Sequence, residues 1–215
     1  MMPRDGGRPT VTATALSVDA TDRLVARARL EGTTVHGAIV TAAAQALSEA
    51  RDLSAVQTLT PFDLRPILRS EPDVVDHHTA TITVSSAPAE AVFWDVARAT
   101  TTELSAARST AGVAAGSQAI QQYIHPNGDT DTAIDFLGLL AFDLSVSNVK
   151  VLEVPEELEI RPAAAWGPTL LCQIKDETMI GVTTYGEVLR MISVSHSPVH
   201  GYLDDVVRRL EDACR

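Results

Sequence analysis

The chain has 215 residues with 17 Lys+Arg against 28 Asp+Glu, a formal charge of −11 and a pI near 4.9. This acidic balance, with no run of Lys or Arg, argues against a large nucleic-acid interface built on phosphate neutralisation. At 45% hydrophobic and 21% charged residues the chain is neither disordered nor fibrous, and this length buries roughly 70% of the unfolded surface. Cys172 and Cys214 form no CxxC pair, so neither a disulfide scaffold nor a structural zinc site is expected; two reduced, mostly buried thiols are. The first nine residues contain no apolar signal core, and no stretch approaches 18 uninterrupted apolar residues, so a cytoplasmic protein without a membrane span is expected.

Residues 1–10 read as a disordered or connector segment, and 11–215 as one domain. Val11 to Leu16 alternates weakly like a strand and leads to Asp19, a candidate helix cap. Leu24, Val25 and Ala28 mark the inner face of the helix that follows, and Gly32 ends it. Thr33-Thr34 cap a second helix, Val35 to about Glu49, so small and apolar that it must lie in the core. Ala55 to Phe62 reads as a strand stopped by Pro61 and Pro66. From Thr79 to Ser85, Ala80, Ile82 and Val84 alternate with threonines, giving one buried face and one that is polar or lines a cavity.

Ala87-Pro88 opens a long helix with the stripe Phe93, Ala97, Thr100, Leu104 and Ala107, fading at Gly112. Gly112 to Ser117 is rich in small residues, lacks the Lys of a phosphate-binding loop and reads as a flexible connector before a short helix, Gln118 to Ile124. Phe142, Leu144 and Val146 alternate with polar residues as a strand. Leu170–Ile174, Met179–Thr184 and Val188–Val194 then form an antiparallel meander with turns at Asp176-Glu177 and Gly186-Glu187. Ser197 and Pro198 begin a last helix whose face is Val199, Leu203, Val206, Val207, Leu210 and Cys214. The fold class is therefore α+β: a mixed, largely antiparallel sheet with helices mostly on one face.

Asp76-His77-His78 is the densest group of titratable residues and could supply a general base near neutral pH. Adjacent strand residues point to opposite faces, so the two imidazoles would not chelate one ion, and a plain strand start is the favoured alternative. His196 and His200 have i, i+4 spacing, but Pro198 puts the helix start between them. Asn127, Asp129 and Asp131 open like a calcium loop, yet Thr132 stands where Gly is required and Gly138 where the bidentate Glu belongs. No metal and no cofactor are expected.

The order of signals carries more than any one of them. Gly32-Thr33-Thr34-Val35 with its Ala-rich helix, Pro61-Phe62-Asp63-Leu64-Arg65, Phe93-Trp94-Asp95-Val96-Ala97-Arg98, Leu144-Ser145-Val146-Ser147-Asn148 and the closing strand–helix unit follow one another. This succession, from about Val11 to Arg215, resembles the C-terminal half of condensation-type, chloramphenicol acetyltransferase-like acyltransferases. Within them it is most similar to the polyketide-associated phthiocerol/phthiodiolone dimycocerosyl transferases.

The resemblance implies one of two similar subdomains that face each other across a tunnel, the other carrying an HHxxxDG motif whose second His is the general base. His77-His78 are followed by Thr79 to Thr83 and lie in the wrong half, so they are not that motif. What carries over is Arg65, matching the arginine of an Asp-Leu-Arg segment near the donor's docking region, and Ser147-Asn148, matching a Ser-Asn motif beside the tunnel. For Arg65 a structural guanidinium bonded to loop carbonyls is the even alternative. Lys150 occupies the position of a family Gly, and Pro155 to Pro168 is expected to include the crossover element that reaches the other half.

By that resemblance the chain is the tunnel-completing part of an acyltransferase, polyketide-associated and of lipid biosynthesis. The enzyme would move an acyl group from a carrier-protein or CoA thioester to an alcohol or amine. The partner would be an N-terminal half in the same parent chain or a separate subunit, the connector-like start fitting a fragment or split gene. A different class of function is a non-catalytic module, a degenerate remnant binding a carrier protein or hydrophobic ligand. The third is a homo-oligomer that rebuilds the tunnel, with His78 as the substitute base.

Overall fold

The computed structural model describes residues 8–69, 77–86, 91–123, 129–132, 141–155, 157, 159–171 and 176–215. In chain order these form β1 (Thr10–Ala15), α1 (Val18–Leu30), α2 (Val35–Arg51), β2 (Ala55–Asp63), α3 (Arg65–Leu68), β3 (His78–Ser86), α4 (Phe93–Ala107) and α5 (Thr110–Tyr123). They continue with β4 (Leu144–Val151), β5 (Thr178–Tyr185), β6 (Val188–Ser195) and α6 (Tyr202–Ala213). The six strands make one sheet in the order β1-β6-β5-β4-β2-β3. β1–β6, β5–β6 and β2–β3 pair antiparallel, while β2–β4 and β4–β5 are parallel, giving the mixed, largely antiparallel sheet.

The core lies on one face of this sheet. Every residue of α2 from Gly37 to Ser48 is buried, because α2 packs between α4 and α6 and rests on β2 and β4. Alanine on nearly every turn lets those neighbours close in, and Gly37 sits where a Cβ would lie 2.4 Å from the Thr101 hydroxyl of α4. Leu144, Val146, Ile180, Val182, Leu189 and Met191 supply the sheet side of the core. Tyr202 brings its hydroxyl into it and donates to the Ala43 carbonyl at 3.0 Å, satisfying the one polar atom of that ring. Trp94 likewise donates from Nε1 to the Ala213 carbonyl at 3.2 Å, tying α4 to the end of α6.

Helix and strand ends depart from the sequence expectations for identifiable reasons. Ser17, not Asp19, caps α1, its hydroxyl accepting from the Ala20 amide at 3.1 Å. Asp19 lies within the first turn, where its charge meets the positive helix end. Thr34 caps α2 as expected, and Gly32 is left-handed at φ 66°. β2 runs through Pro61 to Asp63, pairing Pro61 with Ala80 of β3. α4 starts at Phe93, and it buries Trp94 rather than Phe93 on its inner face; residues 87–90 lie outside the described residues.

The segment from Gly112 to Ser117 is helix, not connector. Ser109 starts α5 by accepting from the Gly112 amide at 3.0 Å, and a Cβ at Gly112 would meet the Ala106 carbonyl at 2.3 Å, so the tight α4–α5 junction requires glycine there. α5 continues to Tyr123, absorbing the expected short helix, and Ile124 falls outside the described residues.

Leu170 and Leu171 are not strand, and Cys172 to Lys175 lie outside the described residues, so the meander reduces to β5, β6 and β1. The β5–β6 hairpin turns at Gly186 and Glu187, at φ 57° and 63°, as a tight two-residue turn requires. α6 begins at Tyr202 after a left-handed Gly201, four residues later than Pro198 suggested. His196 and His200 therefore share no helix. Cys214 is a free, half-buried thiol whose pKa burial raises. Among the described residues no helix is long and apolar enough to cross a membrane.

Candidate functional site

The other sheet face is the informative one. β3 buries its hydroxyl side, Thr83 and Ser85, beneath the helices, and turns Val84 outward at 52% exposure. This reverses the expectation from alternation, in which the Ala80, Ile82 and Val84 side is the buried face and the threonine side the polar one, because the helices cover the threonine side. Cross-strand register aligns Leu59 with Ile82 and Pro61 with Ala80 on this outer face, and on β4 Val149 and Val151 are half or more exposed. Part of the outer face is covered by the chain itself. Gly181 of β5 lies so close to the Pro168 carbonyl that a Cβ would come within 1.8 Å, and the Thr183 hydroxyl donates to the Gly167 carbonyl at 2.5 Å.

Between the covered and bare parts the sheet splits. β2 and β4 pair only at Thr58–Leu144 and Leu59–Ser145. The closed end is held by Asp143, whose carboxylate accepts from the Gln57 amide at 2.9 Å while its own amide donates to the Gln57 carbonyl at 3.0 Å. Beyond Leu59 the next residue but one is Pro61, which has no N–H to donate, and β4 bulges between Asn148 and Val151 to stay with β5. The strands diverge around a cleft of about 830 Å³.

Arg65, His78, Ser147 and Asn148 all line this cleft. Arg65 opens α3, and its amide and guanidinium both donate to the Asp63 carboxylate, at 3.0 and 3.2 Å. His78 stands opposite Asp63 at the start of β3, and the His77 carbonyl accepts from the Leu64 amide at 2.8 Å. Asp76 lies outside the described residues. Asn148 accepts from the Lys150 amide at 2.7 Å, and Lys150 has the left-handed φ of 66° that glycine favours. Ser147 lies one residue before, half-buried on the wall.

Two lining residues were not legible as candidates. Phe62 and Arg108 close the helix side of the cleft, the guanidinium carbon 5.5 Å from the ring centroid. Arg108 follows the end of α4 in an unremarkable sequence, and only the fold brings it to β2. Its neighbour His36, at the start of α2, has its pKa lowered to about 4, by burial first and by the Arg108 charge second. Neither of its ring nitrogens has a partner among the described residues.

Among the described residues the remaining candidates, Asp129, Asp131, His196 and His200, do not line the cleft. Asp129 accepts from the amide and hydroxyl of Thr132, at 2.9 and 2.8 Å, which holds its pKa below the usual range; Asn127 lies outside the described residues. Among the described residues no three His, Cys, Asp or Glu side chains are grouped to hold a metal ion.

No protein-family model matches the sequence, and no curated protein matches it by sequence. Solved structures do match in shape. The epimerization domain from the third module of tyrocidine synthetase B superposes with a TM-score of 0.62 at 11% identity, over 96% of this chain and 48% of its own. Polyketide synthase associated protein 5 from Mycobacterium tuberculosis gives 0.63 at 16% identity, over 96% and 53%. Trichothecene 15-O-acetyltransferase from Fusarium sporotrichioides gives 0.67 at 13% identity, over 97% and 47%. The chain has the fold of condensation-type, chloramphenicol acetyltransferase-like acyltransferases and spans about half the length of these structures.

Proposed function

We propose that the chain is the C-terminal, tunnel-completing part of an acyltransferase that moves an acyl group from a carrier-protein or CoA thioester to an alcohol or amine. The observation that carries this is the split between β2 and β4: an apolar cleft lined by Arg65, His78, Ser147 and Asn148, opening on a sheet face the helices leave bare. A facing half would roof that cleft and contribute the HHxxxDG base, which this chain does not contain. Arg65 and the Ser147-Asn148 pair would border the reacting thioester from this side, with Asn148 holding the strand end that carries Ser147. The segment 155–168, whose end at Gly167 and Pro168 lies on β5, would include the element that reaches toward the facing half, and a carrier protein or CoA would deliver the donor. We place the domain at 11–215, a polyketide- or lipid-associated pathway as its setting and the cytoplasm as its compartment.

The cleft is built by this chain's own strands, which also suits a second reading, a non-catalytic module that binds a carrier protein or hydrophobic ligand there. One experiment separates the two. The coding sequence upstream and in adjacent genes is translated in search of an HHxxxDG-bearing half, which is co-expressed with this chain and assayed for thiol release from an acyl thioester with an alcohol acceptor. Transfer by the pair and by neither half alone is the expected result. A partner half fully active without this chain would sink the proposal, and absence of any such half would leave the binding module.

A further inference from the structure

In a chain of net charge −11, the described residues of the cleft wall include Arg65, Arg108 and Lys150 and, among those residues, one carboxylate, Asp63, which Arg65 engages. Arg108 differs from Arg65. Its guanidinium lies over the Phe62 ring and has no hydrogen bond or ion pair to any described residue. The nearby His36 imidazole, its pKa lowered to about 4, is neutral near pH 7 and supplies no counter-charge. Arg108 is an exposed residue whose guanidinium is partly desolvated against the ring, so it remains open to an anion entering the cleft.

We propose that the Arg108 guanidinium binds an oxyanion, a carboxylate or a phosphate, at one end of a ligand whose apolar body lies along the cleft. Leu59, Ala80 and Met179 offer that body its apolar contacts, while Phe62 holds the guanidinium plane in place for two parallel N–H donors to face the anion. This rests on the cleft being the ligand site proposed above, and narrows the ligands to those carrying an anionic group remote from the reacting carbon. It does not require that transfer occur.

The test is equilibrium binding by calorimetry of octanoate, octyl phosphate and octanol to the full chain at pH 7.5. The anions should bind about ten- to a hundred-fold more tightly than the alcohol, as a charge-assisted hydrogen bond supplies. Arg108→Gln should abolish that preference and Arg108→Lys should keep part of it, with circular dichroism showing both variants folded. Tighter binding of octyl phosphate or of octanoate identifies which oxyanion the site takes. In the unmodified chain, shifts of the Phe62 ring resonances with both anions but not with octanol give the same answer without a variant. Equal affinity for octanol, or an anion preference that survives Arg108→Gln, would overturn the proposal. Neither result depends on the transfer assay, so the two readings can fail separately.

Discussion

The side-chain oxygen of Asn148 accepts the backbone N–H of Lys150 at 2.7 Å, and this bond closes the turn that lets Lys150 sit at φ 66°. A left-handed lysine costs about 1–2 kcal/mol relative to an unstrained backbone, and the asparagine bond offsets part of that cost. The same turn interrupts the pairing of β4 with β5, which resumes at Val151 and Thr184, and its residues Asn148, Val149 and Lys150 line the cleft. Lys150→Gly should therefore raise stability by about 0.5–1 kcal/mol, and Asn148→Ala should lower it by about 1 kcal/mol. In the Lys150→Gly background the Asn148→Ala loss should shrink, because glycine needs no bond to hold its φ. Urea unfolding of the four chains of this double-mutant cycle checks the coupling, and strictly additive effects would refute it.

Gly181 is the position on β5 that the 166–170 segment cannot do without. Its missing Cβ makes room for the Pro168 carbonyl, while Thr183 and the Met179 sulfur hold Gly167 and Leu170 on either side. Gly181→Ala should lift the segment off the sheet and cost about 1–3 kcal/mol. Trp166 reports the change, since it lies at 47% exposure with the Arg190 guanidinium 5.8 Å from its ring. Its emission should shift to the red, and proteolysis within 159–171 should quicken. An unchanged spectrum and an unchanged digest would show that the contact contributes nothing.

Much of this architecture is written in local pattern. The alanine run of α2, the Thr34 cap, the alternation of β3 and the Gly186-Glu187 turn each fix an element from a few neighbouring residues. Arg65, Ser147 and Asn148 were also visible, through the order of short motifs. What could not be read from neighbours is set by distant partners. Whether β3 buries its threonines or its Val84 depends on which face α4 covers, and Arg108 becomes a cleft residue only because the end of α4 lies over Phe62. Gly112 and Gly116 suggested a connector, yet the turn between α4 and α5 demands the first of them. The split between β2 and β4 had no local signal beyond Pro61.

The threonine face buried under the helices is a reserve of stability. Thr58 and Thr83 stand directly opposite across β2 and β3, both buried, and their hydroxyls and that of Thr60 have no hydrogen-bond partner among the described residues. A buried hydroxyl without a partner costs about 1–3 kcal/mol, and valine keeps the shape while removing it. Thr58→Val and Thr83→Val should each raise the urea midpoint, by about 1 kcal/mol in free energy after the valine loses some packing freedom. A lowered midpoint in either variant would mean that an ordered water completes those hydroxyls.

His36 predicts an acid limb of instability. In the fold its pKa is lowered to about 4, against about 6.5 in the unfolded chain, so between these values the unfolded state binds the proton and the folded state does not. Stability is then fully present above about pH 6.5, falls as pH drops, and levels off near pH 4, a loss of about 3 kcal/mol. Burial is the larger cause and the Arg108 charge the smaller, which sets the order of two variants. His36→Leu should remove the difference in this limb altogether, whereas Arg108→Gln should keep most of it and raise the imidazole pKa only partway. Urea midpoints at pH 7.5 and 4.5 for the three chains decide the matter, because the carboxylates titrating at the lower pH are common to all of them and cancel in the comparison. If His36→Leu loses as much stability on acidification as the unmodified chain, the imidazole is already hydrogen-bonded and charged in the fold, and the acid sensitivity belongs to the carboxylates instead.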